Sequence, residues 1–506
     1  MTAVTALATV SLMLTGCLYA MIPEESTPRP TRTIEPDTSG ISEDLLPFYA
    51  QELQWSSCAG NMECTDVTAP LDWDNPELGE ISLAVVRHQA TSTPLGSLLT
   101  NPGGPGASGV ELIASSISYA VGAKLIENYD VIGFDPRGVG QSTAVTCFDA
   151  AEMDEYLYSI PVAPRGSAEW EAELQEKNQR FADACEANSD GILPHITTIN
   201  SARDMDLLRG VLGDKKLNYL GYSYGTFLGA TYAELYPDRV GRLVLDGAVD
   251  PAIPSRDVGA TQALGFESAL RAYMEDCLST RECAFSGTVD EAMRDLGALL
   301  ASVDAVPLEN GDGRLLGADS LMTGIIAALY SQENWFILTE ALAGALQGDP
   351  STAFLLADFY NSREGGTYLD NSSEAFRAYN CMDYPAENDP AADDATMKRI
   401  REGAPTIAPY WDGPDSCAVW PYPPTGKRGE LTAAGSGPIV VIGTTNDPAT
   451  PYEWSVSLAE QLDGGVLITR VGEGHTGYNK GNLCVDAAVE AFFIDEVVPA
   501  DGLRCE

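Results

Sequence analysis

Residues 217–235 read in order as a short apolar run (Leu217 to Leu220), the pentapeptide Gly221-Tyr222-Ser223-Tyr224-Gly225, and a helical pattern (Thr226 to Leu235). The pentapeptide alone fits any turn serine; the strand before it and the helix after it make it the strand–turn–helix of a nucleophile elbow. Two glycines let neighbouring segments approach a strained turn that lifts the Ser223 hydroxyl above a sheet. At the helix N-terminus an alkoxide also gains from the helix dipole. The same alternation recurs along the chain. Ile81 to Arg87, Ser97 to Asn101, Tyr129 to Phe134, Leu243 to Asp246, Pro438 to Gly443 and Val466 to Val471 read as strands, with helical stretches such as Ala202 to Leu212 between them. Several strands are nearly continuous in Val, Ile and Leu, the pattern of parallel strands buried on both faces. The expected class is α/β, a mostly parallel sheet flanked by helices.

Between Pro251 and Gly435 the strand signal stops. Ala260 to Glu275, Val289 to Val303, Ala318 to Leu329 and Asn334 to Gln347 read as helices, so 251–435 is expected to be a helical lid inserted before the last two strands. It would lie over the carboxyl edge of the sheet, where ligands bind in open α/β folds. The core is then 42–250 together with 436–506. Upstream, 18–41 is rich in Pro, Thr, Ser and Glu and reads as a flexible tether. Residues 1–17 read as a signal segment: an apolar run too short to span a bilayer, ending at Cys17. Leu14-Thr15-Gly16-Cys17 resembles the lipobox of bacterial lipoproteins, which makes Cys17 the expected lipidation site. The alternative is a plain secretory signal, and either reading exports the protein.

Setting Cys17 aside leaves ten of the 11 cysteines, an even set that in an exported chain reads as a disulfide framework. Sequence does not determine connectivity. Nearest-neighbour pairing, taken as the working assignment, gives Cys58–Cys64, Cys147–Cys185, Cys277–Cys283, Cys381–Cys417 and Cys484–Cys505. No CxxC pair occurs and His88, His195 and His475 are the only histidines, so neither a metal nor another cofactor is expected.

A serine nucleophile in such a sheet needs an acid and then a histidine later in the chain. His475 is the one histidine after Ser223, and it follows the strand Val466 to Val471. His88 and His195 precede Ser223 and read as structural. Asp447 follows the strand Pro438 to Gly443 and holds the matching position one strand earlier; the alternative for it is an ordinary Asx-turn. The oxyanion hole is expected from the backbone N–H of Tyr224 and from the loop Asn101-Pro102-Gly103-Gly104-Pro105-Gly106, with Gly104 the first choice and Gly103 the second.

Together with Asp135-Pro136-Arg137-Gly138-Val139-Gly140-Gln141-Ser142, Val244 to Pro251 (VLDGAVDP) and Asn446 to Pro451 (NDPATP), these residues carry a family likeness. The chain resembles the secreted actinobacterial tripeptidyl aminopeptidases, α/β hydrolases related to proline iminopeptidases, with their TAP-like C-terminal region. The likeness runs from about Leu45 to the C-terminus. Asn101 stands where many relatives have His, and DPRGVGQS is read as a structural turn.

The resemblance implies an α/β-hydrolase fold and an exported serine hydrolase that releases short peptides from free N-termini through Ser223, Asp447 and His475. A carboxylesterase on the same triad and, more remotely, a non-catalytic surface binding lipoprotein stay open. An aminopeptidase needs a carboxylate for the substrate ammonium, and Asp383 in the lid is the candidate. The substrate is expected to be a peptide or small ester. The net charge, 29 basic against 74 acidic residues or −45, excludes nucleic acid. Membrane contact is expected through the lipid anchor alone, and the protein as a monomer.

Overall fold

The computed structural model describes residues 34–385, 389–411 and 413–506; the segment expected to be a signal, Cys17 and most of the expected tether lie outside the described residues. Ten strands form one sheet: β1 (Ser56–Ser57), β2 (Glu63–Pro70), β3 (Glu80–His88), β4 (Ser97–Asn101), β5 (Asp130–Phe134), β6 (Leu217–Tyr222), β7 (Val240–Asp246), β8 (Ile439–Asn446), β9 (Gly465–Glu473) and β10 (Leu503–Cys505). Their spatial order is β1-β2-β3-β5-β4-β6-β7-β8-β9-β10. The ladders out to β3–β5 are antiparallel, and every ladder from β5–β4 to β9–β10 is parallel. This is the α/β-hydrolase fold.

Successive side chains of a strand point to opposite faces, so a strand buried on both sides must be apolar throughout. Leu99, Ile132, Tyr219, Leu243 and Val441 pack on one face, and their neighbours Leu98, Val131, Leu220, Val244 and Val440 on the other. Where the helix Gly109–Ala120 crosses β5 the two backbones touch. A Cβ on Gly133 would lie 2.2 Å from Gly109 O, so that crossing needs glycine.

One strand more than expected follows the lid. β10 is three residues long, too short for an alternating pattern, and the Cys484–Cys505 disulfide ties it to the helix Leu483–Asp495. The expected tether also ends earlier than residue 41. Asp37 N–H donates to Gly210 O, and the Asp37 carboxylate takes the buried Arg209 at 2.8 Å, so the chain is already packed on the core there.

The lid helices have their own apolar centre, with Phe266, Leu270, Leu296, Leu300, Leu321, Ile325, Leu338, Leu342 and Phe354 buried together. The helix Ser372–Asp383 does not belong to that centre. Its Ala375, Ala378, Tyr379 and Met382 join the main core, and the Tyr379 hydroxyl donates to Arg137 O at 2.8 Å. The remaining disulfides are Cys58–Cys64, Cys147–Cys185, Cys277–Cys283 and Cys381–Cys417, a framework consistent with an oxidising compartment. Among the described residues no helix is long and apolar enough to cross a membrane.

The DPRGVGQS segment is a structural turn. Asp135 is fully buried and accepts from Ser108 Oγ, Val110 N–H and Gln141 N–H, while Ser142 Oγ donates to Asp135 O. Arg137 forms a two-pronged pair with Asp204 at 2.7 Å, and both side chains are shut off from solvent. Asp204→Ala strands that guanidinium and should cost about 3–5 kcal/mol in a denaturant-unfolding titration. Replacing both partners with apolar residues of similar volume should recover most of that loss.

Candidate active site

The elbow forms as the pentapeptide requires. Ser223 sits between β6 and the helix Tyr224–Leu235 with φ +55° and ψ −125°, a conformation L-residues rarely adopt. Its N–H donates to Asp246 O at 2.9 Å, which fixes the turn against β7. Tyr224 is the first helical residue, where an N–H has no intrahelical acceptor.

His475 lies in the loop after β9. Its Nδ1 is 3.0 and 2.9 Å from the two oxygens of Asp447, in the loop after β8. An ionised carboxylate accepts only, so Nδ1 carries the proton and Nε2 the lone pair. His475 N–H donates to Tyr330 O at 2.8 Å, and the Tyr330 ring meets the imidazole edge-on at 5.3 Å, so the lid positions the histidine from above. Burial pulls the imidazole down; the charge and hydrogen bond of Asp447, aided by Asp246, outweigh it and leave His475 above its ordinary 6.5. His475 Nε2 is buried with no hydrogen-bond partner among the described residues, Ser223 Oγ included. Such bonds commonly tighten when substrate enters.

Asp447 is oriented by more than His475. It accepts from Ala449 N–H at 3.0 Å, Thr450 N–H at 2.9 Å, Thr450 Oγ1 at 3.1 Å and Thr476 N–H at 3.3 Å. Thr450 Oγ1 also lies 3.3 Å from His475 Nδ1, on the shared edge of the pair. Sequence reasoning assigned Thr450 no role; its signal was its place three residues after Asp447 within NDPATP.

The loop after β4 closes over the elbow. Gly103 has φ +102°, and a Cβ there would lie 2.6 Å from Tyr222 O and 2.8 Å from Ser223 Cβ. Its N–H is already given to Asn101 Oδ1 at 3.0 Å, which leaves Gly104 the better candidate for the second oxyanion donor. Gly106 in turn rests against Ser372 O and Phe376 N, at the start of the helix that packs in the core.

Asp383 is not where a substrate ammonium could reach it. It is 3% exposed, with Oδ1 accepting from Thr198 N–H at 2.9 Å and Oδ2 from Thr198 Oγ1 at 2.6 Å. Burial pushes its carboxyl up to about 6. Thr198 Oγ1 also lies 2.5 Å from the Tyr224 hydroxyl, so Asp383 braces the residue that follows Ser223. His195 ends a short turn, and His88 ends β3 with its Nε2 3.0 Å from Asn61 Nδ2. Among the described residues no cluster of His, Cys, Asp and Glu is arranged to hold a metal.

A family model described as α/β-hydrolase fold matches residues 96–303, and one described as TAP-like protein matches residues 404–505. The serine protease Hip1 of Mycobacterium tuberculosis is 35% identical, the match covering 99% of this chain and 96% of that protein. Carboxylesterase B of the same species is 38% identical over 98% of this chain and 97% of its own. The tripeptidyl aminopeptidase of Streptomyces coelicolor is 32% identical over 90% and 86%.

Proposed function

The chain belongs to the tripeptidyl aminopeptidase family of α/β hydrolases, and on that premise we propose that this serine hydrolase releases short peptides, two or three residues long, from free N-termini. The observation that carries the mechanism is the His475–Asp447 pair, with Nδ1 2.9 Å from the carboxylate; a proton on Nδ1 leaves Nε2, which has no hydrogen-bond partner among the described residues, as the base. His475 takes the proton of Ser223 Oγ as the oxygen attacks the scissile carbonyl. Tyr224 and Gly104 N–H stabilise the oxyanion, each donor worth about 2.7–4 kcal/mol. His475 then returns the proton to the leaving amine. Water, deprotonated by the same imidazole, hydrolyses the acyl-enzyme.

The relatives named serine protease and tripeptidyl aminopeptidase span nearly the whole chain, lid included, and support a peptide substrate. The relative named carboxylesterase B favours a second reading, an esterase on the same residues. Comparison of one tripeptide amide with free and with acetylated N-terminus separates the two. An aminopeptidase loses a charge-assisted contact on acetylation, so kcat/KM should fall about 10-fold or more. Equal turnover of the two peptides, with faster turnover of acyl esters, would overturn the aminopeptidase reading.

We place the enzyme outside the cytoplasm, a reading the five disulfides support. A lipid anchor on Cys17 is part of the same proposal, tested by mass spectrometry of the mature N-terminus.

A further inference from the structure

The VLDGAVDP segment touches both the Ser223 turn and the loop that carries His475. It contributes Asp246, the last residue of β7, which is fully buried. The Asp246 carbonyl accepts the N–H of Ser223 at 2.9 Å. Its carboxylate accepts Gly477 N–H at 2.8 and 3.0 Å and Tyr478 N–H at 2.8 Å, two and three residues beyond His475. One residue therefore holds the nucleophile with its backbone and the base's loop with its side chain, across a sequence separation of 231. Gly247 follows at φ +67°, and a Cβ there would lie 3.0 Å from His475 Cε1 and 3.1 Å from Thr450 Oγ1. The imidazole rests on the backbone of Gly247.

We propose that Asp246 and Gly247 are positioning residues for hydrolysis: the Asp246 carboxylate draws the His475 loop down onto β7, and Gly247 leaves the space in which the imidazole turns towards Ser223. The proposal rests on the triad assigned above. A loop anchor alone would be served by a neutral acceptor. A carboxylate with no Lys or Arg paired to it among the described residues is a costly choice in a buried site, unless its charge is used. The groups that face it are Tyr222 from β6, and His475, Tyr478 and Lys480 from the loop after β9. Both of its oxygens accept backbone N–H groups, as an ionised carboxylate does, and these amides pull against the burial that pushes its carboxyl up to about 6. That charge is one of those holding His475 above its ordinary value, and it favours the imidazolium that forms as Ser223 is deprotonated. Neither residue touches substrate.

The test uses the full chain and 4-nitrophenyl acetate, an activated ester that needs the triad but no peptide specificity. Asp246→Asn keeps the volume but sets an amide donor against a backbone donor. Its kcat should fall on the order of 10²-fold, as for a misplaced base, with KM within about twofold. The acid limb of its pH–kcat/KM profile should move to lower pH, because a negative charge beside His475 has gone. Gly247→Ala keeps the charge and crowds the ring, so its kcat should fall by at least about tenfold with the acid limb unmoved. Each rate is normalised to sites titrated with a fluorophosphonate. Unchanged kcat per titrated site and an unmoved acid limb in Asp246→Asn would reduce Asp246 to a structural anchor and overturn the proposal. If Asp246→Asn does not fold, unchanged kcat in Gly247→Ala overturns it. Inactive Ser223→Ala beside unaltered Asp246 and Gly247 variants would leave the triad standing and remove this inference alone.

Discussion

Ser223→Ala is expected to lower kcat on the order of 10⁶-fold towards every substrate the enzyme accepts, peptide or ester. The substitution removes one oxygen and keeps the Cβ, so the backbone at φ +55° is no more strained than before. The bonds that shape the elbow are made by the backbone: Ser223 N–H to Asp246 O, and Thr226 N–H to Ser223 O at 2.8 Å. Melting temperature should therefore be unchanged while chemistry stops. What remains is the catalysis an oxyanion hole and substrate binding give without a nucleophile, about 10³–10⁴-fold over water. Steady-state assays on protein free of wild-type carry-over measure the loss. A variant that still hydrolyses the same peptides within tenfold of wild type would remove Ser223 from the mechanism.

The second large effect belongs to Asp447→Asn, for which kcat should drop about 10⁴-fold with little change in KM. The asparagine amide would donate towards Nδ1, which then accepts, so the ring's own proton moves to Nε2 and faces Ser223. The base is then present in the wrong tautomer. The pH dependence gives an independent reading of the same event. His475 stands above 6.5 because the Asp447 charge and hydrogen bond overcome burial, and a base works only when deprotonated. Wild-type activity should thus rise with pH through an acid limb above 6.5. Without the Asp447 charge, burial dominates and the residual activity should show its acid limb at lower pH. A loss below about tenfold, or an acid limb that stays put, would mean that Asp447 does not hold the His475 proton on Nδ1.

Thr450 shares the edge of that pair, and Asp246 and Gly247 lie below it, so substitutions at these positions are expected to be non-additive with Asp447→Asn. Additivity measured by double-mutant cycles would separate bracing of the imidazole from bracing of the loop.

Much of the fold is legible in the sequence, because parallel strands buried on both faces leave long apolar runs. β4 spans Ser97–Asn101 and the lid helix spans Ala318–Leu329, as their patterns imply. The antiparallel edge is less legible. β2 reads Glu63-Cys64-Thr65-Asp66-Val67-Thr68-Ala69-Pro70, with a half-polar, partly exposed face that gives no apolar run, and β1 and β10 are too short for any period. Residues 34–41 look like a linker by composition, yet Asp37 is drawn in by Arg209, a partner 172 positions away.

The site divides along the same line. Chain order, the strand before each loop and the side-chain chemistry single out Ser223, Asp447, His475 and the Gly103-Gly104 loop, because each depends on local structure: a positive-φ turn, a strand's carboxyl end, a glycine where backbones meet. The tertiary structure alone decided what surrounds them. It turned Asp383 inward to Thr198 across 185 positions, because the helix Ser372–Asp383 carries Ala375, Ala378, Tyr379 and Met382 into the main core. It brought Asp246 under the His475 loop and Thr450 onto the Asp447–His475 edge. Sequence by itself determines which groups can do acid–base chemistry and on which elements they ride. Which of 74 acidic side chains faces solvent, a backbone amide or an imidazole is decided by packing between elements far apart in the chain, since burial and distance set the energy of a charge and neither is a local property.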